Sequence, residues 1–468
     1  MTDKLSIIPK PVSIKYNDGI FQSRDPQIIK KESGLKDEAY KLIIEKDRIT
    51  IEAGLKSGMH NGEQTLRQLV LSETKEGLLT LPCAEINDYP RFPWRGFMLD
   101  CSRYFYSVDF IKKLLDALSM HHINRFHWHL TDDQGWRLPV KEYPLLTEVG
   151  SLRKDNRMRW KDAFGGFYSE EEIRDIISYA QDLFIEVVPE VDLPGHASAI
   201  LASYPELGCT GGPYHVEDRF GIFEDVLCAG NDKNFDLMEK IIDAVVKLFP
   251  SKYVHIGGDE VLFNRWEACP KCQKKLKELG LEKIPELQSW ITSKLIKMLS
   301  DRGKITIGWD EILEDSDKFK LPKEAVVMSW RGDKGGIKAG KLGHQVIMSP
   351  NTKGWYLDHK HFDSQEEPGQ TYGGIATVFT AYSMDPVPSE MTDDDASRVL
   401  GGQGNLWSEL IFAGRIAEYM IFPRICAIAE SVWTPIEGKD FDDFSRRLLV
   451  HRERLDSLDI LQYRGALK

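Results

Sequence analysis

No apolar run in the sequence is long enough to cross a bilayer. The opening residues, Met1-Thr2-Asp3-Lys4, lead into no long apolar stretch of the kind a signal peptide carries. The expectation is a cytoplasmic protein, or a periplasmic or secreted one whose signal peptide has been removed. Positive charge is in deficit: 61 Lys and Arg stand against 73 Asp and Glu, a formal net charge of -12. That argues against nucleic acid or an anionic membrane as partner, and leaves a neutral substrate open. Cysteine is scarce: seven residues, an odd number, scattered through 468, which does not suit a disulfide-framed scaffold. The one close pair is Cys269-Pro270-Lys271-Cys272, a single CxxC with no second pair beside it. It is read as a reduced loop pair, with a local disulfide or a metal site as the alternatives. Internal repeats and low-complexity tracts are absent.

What is present describes a globular chain with ample core: 42% hydrophobic residues and a mean hydropathy of -0.35. Residues 1–90 read as a small α+β domain of short β-prone runs (Val12 to Tyr16, Gln27 to Lys30, Leu42 to Ile44, Arg48 to Ile51) and one helix, Met59 to Leu71. The two prolines of Asn87-Asp88-Tyr89-Pro90-Arg91-Phe92-Pro93 mark its boundary. From 91 to 468 strand-like and helix-like runs alternate. The strands are Gly96 to Leu99, Arg125 to Leu130, Ile185 to Val191, Tyr253 to Ile256, Ile305 to Trp309, Ala325 to Trp330, Gln345 to Met348 and Gly402 to Trp407. Helical periodicity lies between most of them, as in Phe110 to His121, Glu171 to Leu183 and Phe235 to Phe249, each with Asp, Ser or Asn near its start. Eight alternations predict an α/β fold, a (β/α)8 TIM barrel preceded by the small α+β domain. The connection between strands seven and eight is long and rich in Gly, Asp and Pro, which suits a pocket wall better than a plain link.

Barrels of this kind place their sites at the C-terminal ends of the strands. Polar clusters fall there repeatedly: Asp100 to Arg103, Asp132 and Asp133, Glu190 to His196, Asp259 and Glu260, Asp310 and Glu311, Arg331, and Glu409. The most telling is Tyr253-Val254-His255-Ile256-Gly257-Gly258-Asp259-Glu260, a strand that runs into two glycines and two adjacent carboxylates. Glycine lets the backbone turn sharply there, so that both acids can serve one pocket. Two carboxyls in different environments can divide the work between an ionised group and a proton donor. Trp309, Trp330, Trp355 and Trp407 all stand at or just beyond strand ends. Indoles pack on the apolar face of a pyranose and carboxylates accept from its hydroxyls, so acids edged by tryptophans suit a neutral sugar.

The order of these motifs resembles the family 20 glycoside hydrolases, the β-N-acetylhexosaminidases. The matching segments are Trp94-Arg95-Gly96-Phe97-Met98-Leu99-Asp100-Cys101-Ser102-Arg103, His127-Trp128-His129-Leu130-Thr131-Asp132-Asp133-Gln134-Gly135-Trp136, Pro189-Glu190-Val191-Asp192-Leu193-Pro194-Gly195-His196, His255 to Glu260, and Trp407-Ser408-Glu409. The resemblance implies an exo-acting retaining enzyme that removes terminal GlcNAc or GalNAc from an oligosaccharide or glycoconjugate. The substrate's own acetamido group would be the nucleophile. It implies Glu260 as acid and base, Asp259 as acceptor of the acetamido N–H, and Tyr356 as donor to the acetamido oxygen. Arg103, Asp358 and Glu409 would bind outer hydroxyls, and Trp309, Trp330 and Trp407 would wall the sugar. His196, supported by Asp192, would lie near Glu260, and Asp132 would be a further pocket carboxylate. No cofactor and no metal is implied. His127 and His129 share a strand face near Asp132, but no third clean metal ligand accompanies them. Two alternatives remain in view: a retaining glycosidase with a protein nucleophile, and a sugar-binding module without turnover.

Overall fold

The computed structural model describes residues 5–154, 163–313 and 318–468. Its first unit is a mixed sheet backed by one helix. The strands are β1 (Ser13–Ser23), β2 (Ile28–Glu32), β3 (Tyr40–Ile44), β4 (Ile49–Ala53), β5 (Thr74–Lys75) and β6 (Leu78–Asp88), with α1 (Lys56–Glu73) between β4 and β5. They are ordered β1-β6-β3-β4-β2, with β5 on β6. Leu42, Ile44, Ile49 and Ile51 are fully buried against Leu66 and Leu69 of α1. β6 was not anticipated from the sequence: Leu79, Leu81 and Cys83 do alternate with Thr80 and Pro82, but a proline sits inside the run and the phase shifts at Cys83-Ala84. It nevertheless pairs with both β1 and β3. Trp433, from near the far end of the chain, completes this core and donates its indole N–H to Asp88 at 3.0 Å. Asp88 also accepts the Tyr40 hydroxyl at 2.7 Å, and burial pushes its carboxyl up to about 7.

The second unit is a barrel of β7 (Trp94–Asp100), β8 (Arg125–His129), β9 (Glu186–Glu190), β10 (Tyr253–His255), β11 (Ile305–Trp309), β12 (Val326–Ser329), β13 (Val346–Met348) and β14 (Val399–Leu406). The strands pair in parallel in that order and β14 closes on β7. Each lies where the sequence pattern put a strand, with shifted ends. Helices α2 (Val108–Met120), α3 (Glu170–Asp182), α4 (Lys233–Leu248), α5 (Pro270–Glu278), α6 (Glu286–Ser300), α7 (Lys334–Lys341), α8 (Arg424–Trp433) and α9 (Phe441–Ser457) accompany it. Alternation along each strand separates two apolar layers. Phe97, Leu99, Phe126 and Trp128 pack toward the helices, whereas Met98, Val188, Ile307 and Met328 form a smaller inner cluster. Among the described residues no helix is long and apolar enough to cross a membrane.

Local chemistry explains the helix starts unevenly. Ser107 caps α2 by accepting from the N–H of Phe110, and Ser169 forms a reciprocal capping box with Glu172 at α3. The cap expected for α4 is not made: the Asp232 side chain caps nothing there and instead accepts from Lys275 at 2.8 Å. The reading of Cys269 and Cys272 as an isolated pair is also corrected. Cys209 and Cys228, distant in sequence, fold onto them, with Sγ–Sγ separations of 3.8 Å for Cys209–Cys272 and 3.6 Å for Cys228–Cys272.

Arg95 ties the two units together. Its guanidinium donates to both oxygens of Glu38 at 2.6 and 3.0 Å and to the carbonyls of His122 and Phe92 at 2.7 and 2.8 Å. It also lies 5.0 Å from the Trp433 ring centroid. Arg95→Ala should lower the unfolding free energy in denaturant titration by about 3 kcal/mol, the low end for breaking a buried ion pair, because the Glu38 side chain keeps 23% of its surface exposed. Arg95→Lys should recover only part of this, since one ammonium cannot reach all four acceptors.

Candidate active site

β9 ends on Glu190, a carboxylate with no solvent exposure. Ring nitrogens of His129, His127 and His255 lie 2.5, 3.0 and 3.0 Å from its oxygens, and Trp309 donates its indole N–H at 2.9 Å. Burial opposes the charge on Glu190, but the imidazoles, His129 foremost, outweigh it and hold the carboxyl well below the usual range. Burial likewise opposes a charge on His129, and Glu190 and Asp132 overcome it, so this ring is an imidazolium. Burial wins at His127, lowering it to about 4 and keeping it neutral. The two histidines noted as a possible metal grouping are thus engaged by one carboxylate.

The network runs outward from there. His129 Nε2 lies 2.9 Å from Asp132 Oδ2. Asp132 accepts from Arg103 Nη2 at 2.9 Å and lies 3.3 Å from His196 Nδ1. His196 Nδ1 also meets Asp133 at 2.9 Å, while its Nε2 faces Glu260 at 3.6 Å and Asp259 at 3.8 Å. Burial disfavours a charged His196, but Asp132, Asp133 and Glu260 hold it well above the ordinary histidine range. Arg103 is fixed by Asp100 at 3.2 Å and Gln134 at 2.9 Å, and its guanidinium carbon sits 5.0 Å from the Trp407 ring centroid.

After β10 the chain turns through left-handed backbone: Gly257 has φ 64°, Gly258 φ 94° and Glu260 φ 51°. A Cβ on Gly257 would stand 1.9 Å from Asp192 Oδ1, the same oxygen that accepts from the Gly258 N–H at 3.0 Å. Only glycine fits that approach. Glu260 carries a side chain in a conformation that non-glycine residues seldom adopt, a strain typical of sites held in place by their surroundings. Burial pushes the Asp192 carboxyl up to about 7. Burial, the Asp192 charge and Glu260 raise Asp259 as well. The two carboxyls lie close together, with an oxygen of each within 4.8 Å, so their titrations are coupled and they can hold one proton between them.

These groups border a cavity of about 290 Å³. Arg103, Asp259, Glu260, Trp309, Trp330, Tyr356, Trp407 and Glu409 all line it. Trp330 and Tyr356 lie nearly parallel, with ring centroids 6.4 Å apart. Tyr356 sits on the long β13–β14 loop and bridges to Asn405 of β14. Arg424 of α8 holds that loop by donating to the carbonyls of Leu357 and His359, each at 2.7 Å. Asp132, Asp192, His196 and Asp358 do not line the cavity; the first three reach it through Arg103, Asp259 and Glu260. Asp358 is buried, with neither carboxylate oxygen hydrogen-bonded among the described residues, and burial plus the Glu409 charge raise it well above the usual range.

Sequence reasoning passed over several contributors. Glu190 and Asp133 were in quoted motifs but drew no role, because their partners come from other strands. Glu311, expected with Asp310 only as a supporting residue, accepts from the Trp330 indole at 2.9 Å, and burial together with Asp259 pushes it up to about 9. Phe220, Gly221, Ile222, Gln370 and Tyr372 complete the cavity rim from loops with no periodic signal.

Comparison with known proteins matches this architecture. The model of the glycosyl hydrolase family 20 catalytic domain matches residues 92–436, and that of family 20 domain 2 matches residues 22–89. The chain is 46% identical over 427 residues to a beta-hexosaminidase of Porphyromonas gingivalis, covering 90% of this chain and 54% of that protein; it therefore spans about half the length of that relative. It is 30% identical over 464 residues to a beta-hexosaminidase of Akkermansia muciniphila, covering 97% of this chain and 90% of the other. Its structure is similar to that of a family 20 exo beta-N-acetylglucosaminidase from Vibrio harveyi in complex with N-acetylglucosamine. The TM-score is 0.89 at 32% identity, covering 98% of this chain and 78% of the other.

The Asp192–Asp259 pair makes a spectroscopic prediction. An acid raised to about 7 stays protonated above the ordinary carboxylate range and loses its proton as pH rises through that value. Infrared titration should therefore show a protonated-carboxyl band lost near pH 7. Asp88, also pushed up to about 7, contributes to the same loss; Asp192→Asn should remove the Asp192 share of the band and leave that of Asp88.

Proposed function

We propose, from the premise that this chain belongs to glycosyl hydrolase family 20, that it is an exo-acting, retaining β-N-acetylhexosaminidase. It would release terminal β-linked GlcNAc or GalNAc from an oligosaccharide or glycoconjugate by substrate-assisted catalysis. The observation that carries this reading is one cavity in which Asp259, Glu260 and Tyr356 meet Trp309, Trp330 and Trp407. We also assign residues 1–90 to an accessory domain and 91–468 to the catalytic one.

In this mechanism the sugar packs against the indoles, and its acetamido group turns back beneath the anomeric carbon. Asp259 accepts the acetamido N–H and Tyr356 donates to the acetamido oxygen, which fixes that oxygen for attack. Glu260 protonates the leaving glycosidic oxygen while the acetamido oxygen bonds to the anomeric carbon, giving an oxazolinium ion. The positive charge on that ring favours an ionised Asp259 and leaves the shared proton on Asp192. Glu260, now a carboxylate, takes a proton from water, which adds to the anomeric carbon and reopens the ring. The product keeps the β configuration after two inversions, and Glu260 is again an acid. His196, held cationic by Asp132 and Asp133, faces Glu260 at 3.6 Å and positions it. Arg103 and Glu409, both in the cavity wall, take the outer hydroxyls of the terminal sugar, with Asp358 buried beside Glu409; this excludes a further residue on that side and makes the action exo.

Two experiments test this. Glu260→Gln should lower turnover of substrates with poor leaving groups by about 10²–10⁴-fold. It should affect an activated aryl leaving group far less and change KM little; equal losses on both substrates would remove Glu260 from the acid role. A thiazoline that mimics the oxazolinium ring should inhibit about 10²-fold or more tighter than the substrate binds. A β-glucoside with only a hydroxyl at carbon two should hardly react, and its efficient cleavage would point to a protein nucleophile instead.

A further inference from the structure

Four cysteines meet on the flank of the barrel, away from the carboxylates. Cys209 and Cys228 belong to the loop after β9; Cys269 caps α5 and Cys272 lies in its first turn. Cys228, Cys269 and Cys272 are buried, Cys209 half-buried, and none is disulfide-bonded. Cys209–Cys272 and Cys228–Cys269 are 3.8 Å apart and Cys228–Cys272 3.6 Å, and all four sulfurs lie within 4.8 Å of one another. Two disulfides would need bonded separations of about 2.05 Å. A tetrahedral ion with metal–sulfur bonds of about 2.3 Å sets its ligands about 3.8 Å apart along every edge. Near-equal separations that favour no pairing are those of the tetrahedron.

The surroundings are built for this approach. The Gly230 N–H donates to the Cys228 sulfur. A Cβ on Gly230 would stand 2.2 Å from the Lys271 carbonyl carbon and 2.6 Å from the Cys272 nitrogen, so only glycine lets the two segments close on each other. The N-terminal end of α5, at Cys269 and Cys272, adds a favourable dipole for thiolates.

We propose that Cys209, Cys228, Cys269 and Cys272 bind one Zn²⁺ as a structural tetrathiolate site. Binding releases the four thiol protons and leaves four Zn–S bonds. No position remains open for substrate or water, so the ion is structural. It would tie the loop that carries Phe220 to Ile222 to the segment that follows Asp259 and Glu260. The Trp266 indole, donating to the Leu227 carbonyl at 2.9 Å, and the Arg265–Asp225 ion pair at 2.7 Å already join the same two stretches.

The test is the metal content of the full chain, made with zinc supplied and dialysed without chelator, read by elemental mass spectrometry. One zinc per chain is expected. A mercurial titrant should release it in step with modification of four thiols, followed with a metallochromic dye. Cobalt substitution should give the intense visible bands and thiolate charge-transfer absorption of a tetrahedral sulfur site. Cys209→Ser and Cys272→Ser should each retain under about a tenth of the zinc, because a hydroxyl replaces a thiolate ligand. Cys83→Ser, outside the cluster, should keep all of it. If the cluster variants do not fold, the metal and thiol counts of the unaltered chain decide. Absence of zinc, disulfide-linked peptides joining these cysteines, full retention of zinc in both cluster variants, or iron as the bound metal would each overturn the proposal.

Discussion

A single carboxylate at the centre of the barrel constrains the whole site. Glu190 has no contact with solvent, and an isolated charge there would be unsustainable. It is held by three imidazoles and an indole from three other strands: His127 and His129 from β8, His255 from β10 and Trp309 from β11. The interior of this barrel is therefore not merely filled; it is charged and satisfied. Each strand must bring its ring to the right height, so the register of β8, β9, β10 and β11 and the position of Glu190 are mutually dependent. A buried ionic group of this kind brings less net stability than specificity of arrangement.

From that centre the charges alternate outward. Glu190 is anionic, His129 cationic, Asp132 anionic, and Arg103 and His196 cationic again. The last two stand at the edge of the cavity, one beside Trp407 and the other beside Asp259 and Glu260. Position and protonation at the cavity are thereby set several residues away from any bound molecule. Burial drives upward the carboxyls outside this alternation, Asp192, Asp259, Glu311, Asp358 and Glu409. The site divides its acids into those held ionised by fixed cations and those left to keep a proton until charge arrives.

The parts of this plan visible in the sequence are those written locally. Strands β7 to β14 follow from apolar runs, and the caps at Ser107 and Ser169 from residue type and spacing. The glycine pair before Asp259 and Glu260 marks a turn that only left-handed backbone can make. The parts not visible depend on partners brought from afar. Nothing near Glu190 in the sequence shows that histidines from β8 and β10 will surround it. Cys269 and Cys272 look like a lone pair until Cys228 and Cys209 arrive from another loop. β6 was missed because Pro82 stands inside the run and the alternation changes phase at Cys83-Ala84, while its two neighbours in the sheet hold it in place. Tyr372 and Gln370 join the cavity from a loop whose path is set by Arg424, itself on a helix more than fifty residues further on.

The N-terminal sheet has a debt to the end of the chain. Its core is finished by Trp433, whose indole meets Asp88 across 345 residues of sequence. During synthesis the ribosome delivers that sheet before Trp433, with those 345 residues between Asp88 and the indole it meets. Until Trp433 arrives the sheet presents an apolar gap, and Asp88 keeps Val12, Tyr40 and Tyr89 but lacks the indole. Truncations near the C-terminus would therefore be felt first at the other end of the molecule.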